Sequence, residues 1–171
     1  MAIHDFEFYH GIVLTKIVRN DRPTVLRLIE TKPAEARSVY IVNDEVILYM
    51  KFSANPRPLK LKRGSFVWSF VFGPSHLQEL QKLRQEKGEK NVYLVLICAQ
   101  HKVGSEPMAI CLIEPSDMDK CIDIKSSKQQ SINVMYQPGK GLRAYGPLNS
   151  SKQNRLIIHR NALDEWKIPG S

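Results

Sequence analysis

The sequence predicts a single mixed α/β (α+β) domain, with a central, largely antiparallel sheet flanked by helices. Three observations carry this. Residues 38–53, SVYIVNDEVILYMKFS, read as two strands joined at Asn43-Asp44. Residues 92–98, VYLVLIC, are continuously apolar, as expected of a strand covered on both faces. Residues 75–88 carry a helical stripe, Leu77, Leu80 and Leu83, between a Ser75–Gln78 capping box and a terminating Gly88. A length of 171 residues fits one domain with one core.

Taken in order, residues 4–19 place Phe6, Tyr9, Val13 and Ile17 on one face of a helix, with Gly11 its weakest position. Asn20-Asp21-Arg22-Pro23 is turn chemistry. Residues 24–30, TVLRLIE, read as a strand from their length and β-branched content, and Lys32-Pro33 ends it. In the hairpin, Val39, Ile41, Val46, Leu48 and Met50 alternate with Tyr40, Val42, Ile47 and Tyr49, so both faces are apolar. That places the hairpin inside a sheet rather than at its rim.

Residues 55–64, NPRPLKLKRG, read as a loop, because two prolines oppose regular pairing. Residues 66–72, FVWSFVF, are a strand, and residues 108–113, MAICLI, are the expected neighbour of 92–98. A short helix follows at 115–122. Strands are expected at 131–136 and 142–145, around the turn Pro138-Gly139-Lys140-Gly141, and at 155–159. Asn161 is read as the cap of a last helical turn carrying Leu163 and Trp166. Residues 124–171 then form a basic C-terminal extension of the same domain, which spans 1–171.

An apolar content of 43% with 25% charged residues excludes a disordered chain. Cys98, Cys111 and Cys121 are odd in number and two lie in apolar runs, so reduced, buried thiols in a cytoplasmic protein are expected, without zinc-ligand spacing. No segment has the pattern of a signal peptide, and no apolar run is long enough to span a membrane.

The formal net charge of +8 calls for an anionic partner, nucleic acid first and DNA within that class. The charge is also segregated. Residues 46–78 contain no acid but hold Lys51, Arg57, Lys60, Lys62 and Arg63. Residues 124–163 again contain no acid but hold Lys125, Lys128, Lys140, Arg143, Lys152, Arg155 and Arg160. If both converge on one face they form a phosphate-binding footprint, and Tyr136 and Tyr145 among them could stack on bases. The competing reading keeps both tyrosines in the core and the lysines in water.

Lys51 stands inside an apolar strand between Met50 and Phe52, so its ammonium must reach water or meet a counter-charge. Asp44 and Glu45 are the nearest acids in sequence, and Glu30 ends the preceding strand. A lysine beside carboxylates that hold a divalent cation can cleave phosphodiesters: the metal lowers the pKa of a bound water and the lysine offsets developing charge. The order helix, three strands, helix, strand over residues 4–113 resembles the core of the PD-(D/E)XK nuclease superfamily. The resemblance implies Asp44 as first acid and metal ligand, Lys51 as the motif lysine, a second carboxylate from Glu45 or Glu30, Glu7 as an accessory acid, and magnesium or manganese as cofactor. The chain departs from the motif at Tyr49, two residues before Lys51, where the family has Asp or Glu. The plain alternative is a lysine whose head reaches solvent at a sheet edge.

Other chemistry is weakly signalled. His4, His10, His76, His101 and His159 show no metal-ligand spacing. Gly139-Lys140-Gly141 is too short for a phosphate loop. Ser69, Ser75 and the cysteines have no evident base. The sequence therefore points first to a nucleic-acid-binding module on a restriction-endonuclease-like scaffold. A metal-dependent DNA endonuclease using Asp44 and Lys51 is second. Third is a non-catalytic protein-interaction domain, dimerising through its N-terminal helix or belonging to a larger multidomain chain.

Overall fold

A computed structural model describes residues 5–19, 23–100 and 108–170. Asn20, Asp21 and Arg22 of the expected turn, with His4 and His101, lie outside the described residues, as does the side chain of Phe6. The described chain is α+β, with two five-stranded sheets rather than one. The first contains β1 (Leu26–Lys32), β2 (Arg37–Val42) and β3 (Val46–Ser53). The second begins with β4 (Arg57–Pro58) and β5 (Phe66–Phe72). The chain returns to the first sheet with β6 (Val92–Cys98) and β7 (Ala109–Ile113), and completes the second with β8 (Gln130–Tyr136), β9 (Leu142–Tyr145) and β10 (Leu156–Ile158). The helices are α1 (Asp5–Val18), α2 (Pro74–Lys87) and α3 (Pro115–Cys121).

The first sheet runs β1-β2-β3-β6-β7 and the second β10-β9-β8-β5-β4. Among the described residues, every ladder is antiparallel except β3 with β6. A parallel pair needs a crossover, and residues 54–91 supply it, with α2 inside. The 38–53 hairpin does lie inside its sheet. It turns at Asn43 and Asp44, both left-handed at φ 52° and 60°, a conformation these two residue types tolerate. Asn43 Oδ1 also accepts the Val25 N–H at 2.8 Å, holding β1 beside the turn.

Both faces of the hairpin are apolar because two cores meet on it. Val39, Ile41, Ile47 and Tyr49 pack toward Trp68, Phe70 and Phe72 of the second sheet and toward Leu77 and Leu80 of α2. Val42, Val46, Leu48 and Met50 pack toward Tyr9, Val13 and Ile17 of α1. Trp68 Nε1 donates to Ala99 O at 2.8 Å, tying β5 to the chain leaving β6. The C-terminal residues thus complete the second sheet and close the main core.

Three local expectations change. Arg57–Pro58 forms a two-residue strand within the expected 55–64 loop; proline is tolerated there because β4 is an edge. Helix α2 is capped at Gly73, not Ser75, and His76 Nδ1 accepts the Gly73 N–H at 3.4 Å. Residues 159–166 form successive turns rather than a capped helix, with Leu163 and Trp166 buried. The three cysteines are buried free thiols. Among the described residues, no helix is long and apolar enough to cross a membrane.

Candidate nucleic-acid interface and a buried ion network

Lys51 does not reach solvent at an edge. It is 5% exposed, on the face of β3 that looks toward α2 and the second sheet. Its ammonium donates to Val71 O, lies 3.2 Å from His76 Nδ1 and sits 4.8 Å from the centre of the Phe72 ring. Burial lowers its pKa to about 8, and the charge of Arg37 adds to that. His76 Nε2 is in turn 2.9 Å from Glu35 Oε2, and this bond holds Glu35 below the usual carboxylate range.

Arg37 is the cross-strand partner of Lys51, and its side chain is fully buried. Nη1 binds Glu79 Oε1 at 2.6 Å, Nη2 lies 3.4 Å from Glu30 Oε2, and Nε lies 3.4 Å from Glu35 Oε2. The Tyr49 hydroxyl donates to Glu79 Oε2 at 2.9 Å, and its ring lies under the Arg37 guanidinium. Burial raises the Glu79 pKa, and its hydrogen bond with Glu30 adds to the rise; the same bond lowers Glu30. One guanidinium therefore meets three carboxylates, which is how a buried charge is tolerated.

The structure brings Lys51 and Glu30 into this network but leaves Asp44 and Glu45 at the far end of the hairpin. Asp44 pairs with Arg27 at 2.9 Å beside the turn. The strand from Val46 to Lys51 alone puts five steps between the turn and Lys51, roughly 16 Å at about 3.3 Å per residue. Lys51 and Arg37 face each other at the open end instead. Glu7 is exposed on α1, the helix over the opposite face of the sheet. Among the described residues, no group of three or more His, Cys, Asp or Glu side chains is placed to hold a metal, so Asp44 gains no co-ligands. Arg37, Glu35, His76 and Glu79 were not singled out from sequence. His76 and Glu79 are i, i+3 on α2, beside the Leu77 and Leu80 stripe, the spacing that aims both at one neighbour.

The basic segments do converge. The inner face of the second sheet carries Trp68, Phe70, Ile132, Val134, Leu142 and Ala144. Its outer face is crossed by a row in register, Val67, Met135, Arg143 and Ile157. Tyr145 and Asn133 pair in the adjoining row. Over this face opens a cavity of about 600 Å³. Val67, Met135 and Tyr145 line it with six cations: Lys60 and Lys62 from the first acid-free segment, Lys140, Arg143, Lys152 and Arg155 from the second. Among the described residues, no carboxylate lines it.

Hydrogen bonds shape the rim. Leu59 and Ser65 close the 59–65 turn, with Leu59 N–H donating to Ser65 O at 2.9 Å, and this presents Lys60 and Lys62. Arg160 stacks on Tyr136 at 4.4 Å and donates to Lys140 O and Gln137 O, fixing the turn that carries Lys140. Arg155 lies 3.9 Å over the Tyr145 ring while its Nε donates to Ser150 O at 3.2 Å. Arg57 and Arg63 sit beyond the lining, and Lys125 and Lys128 lie in the turn before β8, apart from it.

No family model, curated protein or solved structure matches this chain.

Proposed function

We propose that the chain is a nucleic-acid-binding module whose interface is the basic cavity on the outer face of the second sheet. One observation carries the proposal: among the described residues, two acid-free segments far apart in sequence deliver six cations, and no carboxylate, to one concave surface. Such a surface binds polyanions through phosphate neutralisation and counterion release. The test is fluorescence anisotropy with labelled oligonucleotides over a salt series. Affinity should fall steeply with salt. Replacing Lys60, Lys140 and Lys152 with alanine should weaken binding and flatten the slope of log K against log salt by about 0.7–0.9 for each phosphate contact removed. Binding indifferent to these residues would overturn the assignment.

A metal-dependent endonuclease is the second reading. Its support is the set of carboxylates of Glu30, Glu35 and Glu79 around Arg37 beside Lys51; the element order departs from the expected one by placing β4 and β5 of the second sheet between β3 and α2. In that reading magnesium or manganese would be the cofactor, and the missing motif acid would have to come from another element, although among the described residues no group of three or more His, Cys, Asp or Glu is placed to hold a metal. Against it, the positive charge those carboxylates require already comes from Arg37. A plasmid assay with either metal separates the readings: nicking lost in Lys51→Ala places the chemistry at the network, and binding without nicking leaves the basic cavity.

A further inference from the structure

The outer face of the second sheet holds more than phosphate chemistry requires. A duplex presents a convex, charged backbone and keeps its base faces stacked inside, so a duplex interface needs cations and polar groups on a rim. Here the cavity floor is apolar and aromatic: Val67 and Met135 adjoin in register, and Tyr145 stands beside them. Such a floor is useful to unpaired bases, whose flat faces are free to leave water.

Two further features point to a base. The guanidinium of Arg155 lies flat enough on Tyr145 to bring its central carbon within 3.9 Å of the ring centre, and the bond to Ser150 O restrains it there. Together they form a cationic, planar surface of the kind on which bases stack. Arg143 also lines the floor and is partly exposed, so its guanidinium can offer a donor to an acceptor on a bound base edge.

We infer that this face is a platform for single-stranded nucleic acid, with a base stacked on the Tyr145–Arg155 pair, Arg143 bonding a base edge, and phosphates held at the rim by Lys60, Lys140 and Lys152. This rests on the proposed nucleic-acid interface and specifies its substrate. The strand crosses the sheet over Val67 and Met135, so affinity comes from stacking as well as charge. Ionic strength then removes only part of it.

The experiment compares a labelled oligothymidylate and oligouridylate with a duplex of equal length, by anisotropy at moderate salt. Both single strands should bind on the order of tenfold tighter than the duplex, with a residual affinity at high salt. Tyr145→Leu should weaken single-strand binding on the order of tenfold, bringing it down toward the duplex affinity. Tyr145→Phe should retain affinity. Arg155→Lys keeps the charge but loses the plane, so it should fall with Tyr145→Leu. Arg155 is a partly exposed position, and near-ultraviolet circular dichroism checks that each variant stays folded. Equal binding of duplex and single strands, or full affinity in Arg155→Lys, overturns the inference and leaves the nucleic-acid interface standing. If neither form binds, both readings fall together.

Discussion

Arg37 Nη1 lies 2.6 Å from Glu79 Oε1, an ion pair joining the first residue of β2 to the flank of α2 that faces the core. The guanidinium is fully buried, so the pair cannot be exchanged for hydration, and the same charge also serves Glu30 and Glu35. Removing Arg37 leaves Glu79, whose side chain is only 22% exposed, without its counter-charge, while the more exposed Glu30 and Glu35 keep Lys32 and His76 beside them. Arg37→Ala should therefore destabilise the protein by about 3–5 kcal/mol. Arg27→Ala, which breaks a pair with Asp44 whose side chains are 66% and 73% exposed, should cost about 0–1 kcal/mol. Urea unfolding of both variants checks the contrast, and similar midpoints would contradict it.

Lys51 gives a pH dependence with a defined sign. Its folded pKa of about 8 lies below the ordinary 10.5, so between those values the unfolded chain holds a proton that the folded chain has lost. Stability rises with pH wherever the unfolded state binds more protons. The penalty for burying the charged lysine is thus fully present below pH 8 and is lifted as pH climbs toward 10.5. Buried thiols and tyrosines, whose pKa values are raised, pull the other way above pH 9. The comparison with Lys51→Met isolates the lysine. The stability of wild type relative to Lys51→Met should increase from pH 7.5 to pH 9.5, read from urea midpoints, and a flat or falling difference would contradict it.

Gly146 follows β9 where the chain passes the C-terminal end of α3. A Cβ there would stand 2.3 Å from Cys121 O, a backbone atom with nowhere to go, and its N–H already donates to Asn149 Oδ1 at 2.8 Å. Gly146→Ala should destabilise by about 1–3 kcal/mol through this clash alone. Gly139→Asn is the control: nothing lies within 4 Å of the added Cβ, and asparagine tolerates the left-handed backbone at φ 72°. Thermal melts should drop for the first and barely move for the second.

The three thiols are buried, and burial raises the pKa of each, Cys121 to about 11 and the other two further. The reactive thiolate is therefore scarce and inaccessible in the folded state. Iodoacetamide should leave the native protein unlabelled at neutral pH and should label all three sites in urea, as counted by intact mass. Rapid labelling of native protein would contradict the packing.

What the sequence determined is local. Alternation in residues 38–53, the continuous apolar run of 92–98 and the Leu77, Leu80, Leu83 stripe are periodicities, and a strand or helix follows from period and length without knowledge of neighbours. Segregation of charge into two acid-free segments was equally legible, because composition needs no fold. Pairing across long separations was decided only by tertiary structure. Phe66–Phe72 leaves the first sheet to pair with Gln130–Tyr136, about sixty residues on, and this divides one expected sheet into two. That same pairing lays Lys60 and Lys62 beside Arg143 and Arg155. Hairpin register likewise decided the fate of Lys51. Because antiparallel strands meet end to end, its neighbour is Arg37, at the start of β2, and not Asp44 at the turn. Sequence distance misleads there: a residue at the turn and one at the far end of the strand it opens lie farther from one another than either does from a partner across the ladder, where strands are under about 5 Å apart.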